Sequence, residues 1–232
     1  MAALATRLRS GGALVFLPEP VPCDQPVQEL SLGIAMQMAF DGMLYKLMLD
    51  KYGTASLNQI MVEVGDTPIK NWKGSNEDFD RDRSVNLSPE IFTDTMVVKY
   101  HCYSCPLGCG GLMAKNSAWP GGHKPEYESV MALGGLLLND DAESIYTLND
   151  MLNRAGMDTI SAGGTVAFAM ECYEKGLLTR DDTDGLELTW GNSAAIVQLV
   201  EKMIRREGIG DLLADGSRAA ARRIGRQADR LA

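Results

Sequence analysis

The chemically distinctive stretch of this 232-residue chain is His101-Cys102-Tyr103-Ser104-Cys105-Pro106-Leu107-Gly108-Cys109-Gly110-Gly111. Three thiols at Cys-x-x-Cys-x-x-x-Cys spacing can wrap one corner of an iron–sulfur cube, because a short turn points successive sulfurs inward. Pro106, Gly108, Gly110 and Gly111 suit a backbone that must curl closely around a bulky inorganic core. Backbone N–H groups brought near the sulfides would stabilise the anionic cluster and raise its potential. Spacing alone leaves two other readings open. Structural zinc wants four ligands, usually as two pairs; no second pair follows, and only His101 and His123 could complete a set. An unmetallated thiol turn is the third reading. A cubane needs four protein ligands, and this loop supplies three. Cys172, inside Ala169-Met170-Glu171-Cys172-Tyr173, reads as a small buried apolar side chain. Cys23 lies in an irregular stretch without a partner.

The five cysteines are not spread as a disulfide framework would be, since three fall between positions 102 and 109. That clustering points to a reducing compartment, with cytoplasmic placement expected, and to a metal site. The apolar run Ala13 to Leu17 follows Arg7 and Arg9, but it is too short for a secretory signal core and Glu19, Pro20 and Pro22 come directly after it. No apolar run approaches the roughly 18 residues that cross a bilayer. A net charge of -9 argues against a nucleic-acid partner, which would need a basic surface. With 45% hydrophobic residues the chain can build a substantial core.

The pattern around the thiols is mainly α. Residues 1–28 form an irregular Gly/Pro-rich segment, and 29–232 a multihelical domain. Helical periodicity runs from about Leu32 to Tyr52 and stops at Gly53; a second apolar stretch covers 55–64. Residues 65–88 are polar and read as a loop, and Pro89 opens a short helix capped by Ser88. Beyond the cysteines, Gly110 to Pro125 reads as a connection. Helices are expected at about 126–137, 141–155, 160–176, 193–206 and 211–230. Gly156, Gly176 and Gly208 stand at C-cap positions, and Asp140 and Asn192 at N-caps. Only Met96–Tyr100 and Leu186–Thr189 suggest strands, both short.

The run Tyr100 to Gly111 resembles the cluster loop of the aldehyde:ferredoxin oxidoreductases, a family of tungsten or molybdenum pterin enzymes. The resemblance continues through Pro125-Glu126-Tyr127-Glu128, Asn153-Arg154-Ala155-Gly156-Met157-Asp158-Thr159-Ile160-Ser161, Phe168-Ala169-Met170-Glu171, Tyr173-Glu174-Lys175-Gly176-Leu177 and Arg206-Glu207-Gly208-Ile209-Gly210-Asp211-Leu212-Leu213-Ala214. Weaker similarity covers Lys51-Tyr52-Gly53-Thr54 and Asp66-Thr67-Pro68-Ile69-Lys70-Asn71, so that positions from roughly 50 to 225 are matched.

This resemblance implies a multihelical domain in which Cys102, Cys105 and Cys109 bind three irons of a [4Fe–4S] cluster, beside a tungsten (or molybdenum) bis-pterin. The family's pterin-contacting motif, Asp-x-x-Gly-Leu-Asp/Cys, is matched by Asn153, Gly156, Met157 and Asp158, with Asn replacing the leading acid and Met the Leu. Glu128 stands where the family carries a glutamate near the metal; in a water-poor pocket it would serve as a proton carrier. Without the resemblance, Asp158 reads as a helix N-cap and Glu128 as a solvated first-turn acid favoured by the macrodipole. The family oxidises aldehydes to carboxylic acids and passes the electrons to ferredoxin. Its fourth cluster cysteine belongs to a later domain and its N-terminal pterin cradle has no counterpart in residues 1–28. The expectation is therefore a partial enzyme, with little or no activity by itself and completed by missing domains or a partner subunit. A separate iron–sulfur electron-transfer subunit and a non-catalytic fragment are the alternatives.

Overall fold

The computed structural model describes residues 43–103, 105, 107–115 and 121–232. The irregular segment 1–28, Cys23, the first part of the helix expected from Leu32, and the loop residues Ser104 and Pro106 lie outside the described residues.

Chain order begins with helix α1 (Met43–Tyr52), a 3-10 turn (Gly53–Leu57), α2 (Asn58–Glu63), and the short α3 (Arg81–Ser84) and α4 (Pro89–Thr93). Gly53 adopts φ 65°, which ends α1 where the sequence placed a stop. Pro89 opens α4, but the Ser88 side chain makes no capping bond; only its extended backbone is cap-like. Within the expected loop 65–88, Asp80 accepts from the Arg83 N–H and starts α3.

A small antiparallel sheet follows, ordered β1 (Met96–Tyr100), β2 (Gly110–Met113), β3 (Gly122–His123). Tyr100 pairs with Gly110 and Leu112 with His123. The sequence shows β1 and misses β2 and β3, because Gly-Gly-Leu-Met and Gly-His carry no alternation or β-branching. Leu186–Thr189 shows the opposite outcome. Its two leucines are buried and Glu187 and Thr189 exposed, yet it joins no strand among the described residues and turns on a Thr189 N–H to Glu187 carbonyl bond of 2.8 Å.

The core is helical. It comprises α5 (Tyr127–Leu133) with a 3-10 turn (Gly135–Leu137), α6 (Ala142–Ala155), α7 (Thr159–Glu174), α8 (Ser193–Arg205), α9 (Ile209–Leu213) and α10 (Ser217–Ile224). The central helix is α7, which buries Ala162, Gly163 and every residue from Thr165 to Cys172. Being apolar on all sides, it must be surrounded by other elements. A Cβ at Gly163 would overlap the Ala132 carbonyl, so the missing side chain lets α5 and α7 touch at backbone level.

Several boundaries differ from the sequence reading. Asp141, not Asp140, caps α6, accepting from the N–H groups of Glu143 and Ser144; Asp140 pairs with Arg83 instead. Asn192 caps α8 as expected, accepting from Ala195 N–H. The left-handed residue ending α8 is Arg206, while Gly208 precedes α9. The expected helix 211–230 is cut by positive-φ residues Gly216, Gly225, Arg226 and Gln227 into α9, α10 and a 3-10 turn at Ala228–Arg230. No helix among the described residues is long and apolar enough to cross a membrane.

Candidate cluster loop and pterin-facing helix ends

The cysteine loop joins β1 to β2 and is shaped by its neighbours. Cys105 donates its N–H to the Cys102 carbonyl at 3.0 Å, closing a turn between the first two thiols. His101 Nδ1 lies 2.9 Å from the Cys105 carbonyl, and its ring lies where a Cβ on Gly108 would be. The Tyr100 ring takes up the corresponding space at Gly110, and its hydroxyl lies 2.9 Å from His123 Nδ1. Both histidines named as possible zinc ligands therefore have hydrogen-bond partners other than a metal set.

Cys102 is exposed, and Cys105 and Cys109 are intermediate; all three are free thiols. Among the described residues no three His, Cys, Asp or Glu side chains are already gathered as a metal set. The donor types fit an iron–sulfur cluster. Three unbridged, solvent-reachable thiols share one glycine-bounded loop, and a metal supplies the force that draws such sulfurs together. Burial pushes the Cys109 thiol up, the Glu126 carboxylate pushes the same way, and the Lys124 ammonium opposes both. Cys172, in contrast, is fully buried in α7, and burial pushes its thiol up to about 12.

Behind the loop lies a polar cluster that the sequence reading did not single out. Lys124 is only 2% exposed, and its Nζ lies 3.1 Å from Glu126 Oε1. The other Glu126 oxygen accepts from Thr54 Oγ1, which itself accepts the Tyr127 N–H at 2.9 Å. The opening of α5 is thus tied to the start of the 3-10 turn at Gly53. Lys124 lies one residue beyond β3 and donates its N–H to the Gly111 carbonyl at 2.8 Å. A buried lysine is rare unless paired, which is the one signal the sequence could offer once burial is known.

The expected pterin-contacting residues form the α6–α7 corner. Gly156 takes φ 69° and ends α6 in a Schellman arrangement, with Met157 N–H bonded to the Leu152 carbonyl at 2.9 Å and Gly156 N–H to Asn153 at 3.2 Å. Asp158 caps α7; its carboxylate accepts the Ser161 N–H at 2.7 Å. Hydrogen bonds from Ser161, side chain and backbone, hold the Asp158 carboxyl below its usual range. Asn153, Gly156 and Asp158 are exposed and Met157 half-buried. Met157 and Asp158 line an open cleft of about 310 Å³ with Ser161, Met203, Leu213 and Gly216. Exposed side-chain oxygens on such a rim suit a ligand rich in ring N–H donors.

Glu128 is exposed on the first turn of α5, so these residues do not enclose it in a water-poor pocket. Its neighbour Ser129 bonds Thr159, with 2.7 Å between the hydroxyl oxygens. Ser129 and Thr159 are therefore held side by side, at the first turns of two helices in close contact.

A second, larger cavity of about 840 Å³ adjoins the first and shares Ser161, Thr165, Asp215 and Gly216 with it. Its wall includes Trp72 and Glu171. Lys70, Asn71 and Trp72 all have positive φ, and the Asn71 amide donates to Glu171 Oε2 at 2.6 Å. Lys175 and Lys73 also reach that carboxylate, at 3.0 and 3.3 Å. Burial raises the Glu171 carboxyl, but these three partners outweigh it and hold the group below its usual range.

Residues 34–232 match the family model described as aldehyde ferredoxin oxidoreductase, domains 2 and 3. The tungsten-containing aldehyde ferredoxin oxidoreductase of Pyrococcus furiosus is 39% identical over 178 residues, 76% of this chain and 29% of that protein. Its Thermococcus kodakarensis counterpart is 40% identical over 171 residues, 73% of this chain and 27% of that protein. A Pyrococcus furiosus protein named aliphatic sulfonate oxidoreductase, WOR-like subunit, is 32% identical over 161 residues, covering 68% of this chain and 25% of that protein. Among solved structures, the active site complex BamBC of benzoyl coenzyme A reductase with 1,5-dienoyl-CoA superposes with a TM-score of 0.63 and 25% identity, over 79% of this chain and 26% of that chain. The chain spans less than a third of the length of these curated relatives.

Proposed function

This chain belongs to the aldehyde ferredoxin oxidoreductase family, and from that premise we propose that it forms the cluster-holding and pterin-facing part of such an oxidoreductase. Cys102, Cys105 and Cys109 hold three irons of a [4Fe–4S] cluster, and the fourth ligand comes from another domain or a partner subunit. Asn153 and Asp158 accept hydrogen bonds from a pterin of the tungsten (or molybdenum) bis-pterin, with Gly156 turning the backbone toward it and Met157 packing beneath. When bound, these groups supply the oxidation of an aldehyde to a carboxylic acid, with water as oxygen source and two electrons leaving through the cluster to ferredoxin.

The chain's own residues bind, orient and handle protons. The Glu128 carboxylate takes up one of the two protons released per turnover and hands it to solvent. That role needs cover over the first turn of α5, which a docked domain or subunit provides. Residues 29–232 act as one helical unit in this reading, and free thiols at this density fit a reducing, cytoplasmic setting.

The observation carrying the proposal is the Ser129–Thr159 bond of 2.7 Å. It joins the first turn of α5, which carries Glu128, to the first turn of α7, which Asp158 caps, and the entry to α5, residues 122–126, leads from the strand that pairs with β2. A proton carrier, a cofactor rim and a thiol loop thereby share one continuous scaffold. The test is anaerobic purification and reconstitution with iron and sulfide, including a small thiol for the fourth iron. Iron and acid-labile sulfide are expected, with a broad absorbance near the visible edge that Cys105→Ser abolishes. Zinc alone, or retained absorbance in the variant, removes the cluster assignment.

A second reading has an observation in its favour. Glu128 is exposed, as it would be in an iron–sulfur subunit that transfers electrons without carrying the oxidation site. Iron and sulfide bound with no tungsten or molybdenum in the natively purified, complete assembly would select it.

A further inference from the structure

The polar cluster under the cysteine loop has charges in an order that suggests a task. We propose that Lys124 and Glu126 form an opposed charge pair that sets the reduction potential of a cluster held by the loop, the ammonium raising it and the carboxylate lowering it. The inference rests on the cluster assignment of the proposed function and adds to it two residues that position charge rather than bind iron.

Lys124 is the most deeply buried charged side chain near the thiols, 1% exposed against 34% for its partner Glu126. Its location is fixed from three sides: the Lys124 N–H is bonded to Gly111, its Nζ to Glu126, and Glu126 to Thr54. Gly53 shows how near this group comes to the loop. A Cβ built there would lie 2.6 Å from the Cys109 carbonyl oxygen and 2.9 Å from Lys124 Nζ. Ammonium and loop backbone thus converge on the same small space, which Gly53 leaves clear.

An iron–sulfur cluster gains one negative charge on one-electron reduction. A nearby cation favours that state and a nearby anion opposes it, and burial keeps the ammonium of Lys124 from being screened. A lysine needed only to fill space would be served by an apolar residue of similar length, because replacing a buried ion pair by hydrophobic groups is often neutral or stabilising.

The full chain, purified without oxygen and loaded with iron and sulfide, is titrated with dithionite while the reduced cluster is followed by electron paramagnetic resonance. Lys124→Met is expected to disfavour reduction about tenfold, about 59 mV for one electron. Glu126→Gln shifts the potential the other way by a similar factor. The double variant, with neither charge, returns toward the wild-type value. Circular dichroism and iron content verify folding and loading; if Lys124→Met fails to fold, Glu126→Gln and the double variant still carry the signs. Equal potentials in all variants, or both single variants shifted in one direction, overturn the inference while leaving the cluster in place. A wild-type chain that binds no iron overturns the cluster assignment itself, and this inference with it.

Discussion

The four described cysteines occupy two different environments, and their reactivity follows from that. Cys102, Cys105 and Cys109 lie on a loop reachable by solvent, whereas Cys172 is fully buried with its thiol pushed up to about 12. Brief alkylation of the folded, metal-free chain at pH 8 should label the three loop thiols and spare Cys172, as read by peptide mass spectrometry. Asp158 joins an observed helix cap and a proposed pterin contact at one carboxylate. Asp158→Ala removes an N-cap and should cost about 1 kcal/mol of stability. Asp158→Asn keeps the cap, because asparagine caps about as well, yet loses the charge that the proposed pterin contact would use. The expected outcome in the cofactor-loaded enzyme is near-native unfolding with weakened pterin retention. Retention equal to wild type would leave Asp158 as a cap alone.

Between elements, the contact of α5 with α7 holds the Ser129–Thr159 bond that joins their first turns. Gly163 permits that contact, since a side chain there would meet the Ala132 backbone. Gly163→Ala, despite alanine's higher helix propensity, should destabilise by about 1–3 kcal/mol through overpacking. A lower urea midpoint would show it, and an unchanged or higher midpoint would contradict the packing argument. The left-handed turn at 70–72 is a comparable device. Its backbone is anchored by Lys70 and Asn71 N–H bonds to the Gly135 and Leu136 carbonyls, which carries the Asn71 side chain to the buried carboxylate of Glu171.

For the whole molecule, pH acts from both sides. The carboxyls of Glu171, Glu174, Asp158 and Asp184 all lie below their usual values. A depressed carboxyl gives stability that is present above its unfolded pKa and lost as pH falls through the folded one. Unfolding midpoints should therefore decline below about pH 4–5. The Glu171→Gln variant should show a shallower acid decline, having lost the most deeply buried of these acids. On the alkaline side the sign reverses. The Cys172 thiol is raised in the fold, so the unfolded chain releases its proton first, and stability falls as pH climbs from about 9 toward about 12. Cys172→Ala should flatten that limb.

Legible in the residue order are the helical class, the start of α6 to within a residue, the capped corner at Gly156 and Asp158, the burial of Cys172 and the candidate thiol loop. Each of these is written in local signals: 3.6-residue periodicity, cap residues, glycine at a left-handed position, and thiol spacing. The rest emerges only when the chain packs. Strands β2 and β3 are glycine-rich segments held by cross-strand bonds, and the expected helix 211–230 is broken at the positive-φ residues Gly216, Gly225, Arg226 and Gln227. The Lys124–Glu126–Thr54 cluster and the Ser129–Thr159 bridge join residues whose chemistry is unremarkable until folding removes water from around them. Burial of a charge and juxtaposition of distant chain segments are properties of the packed chain, and no local pattern encodes them.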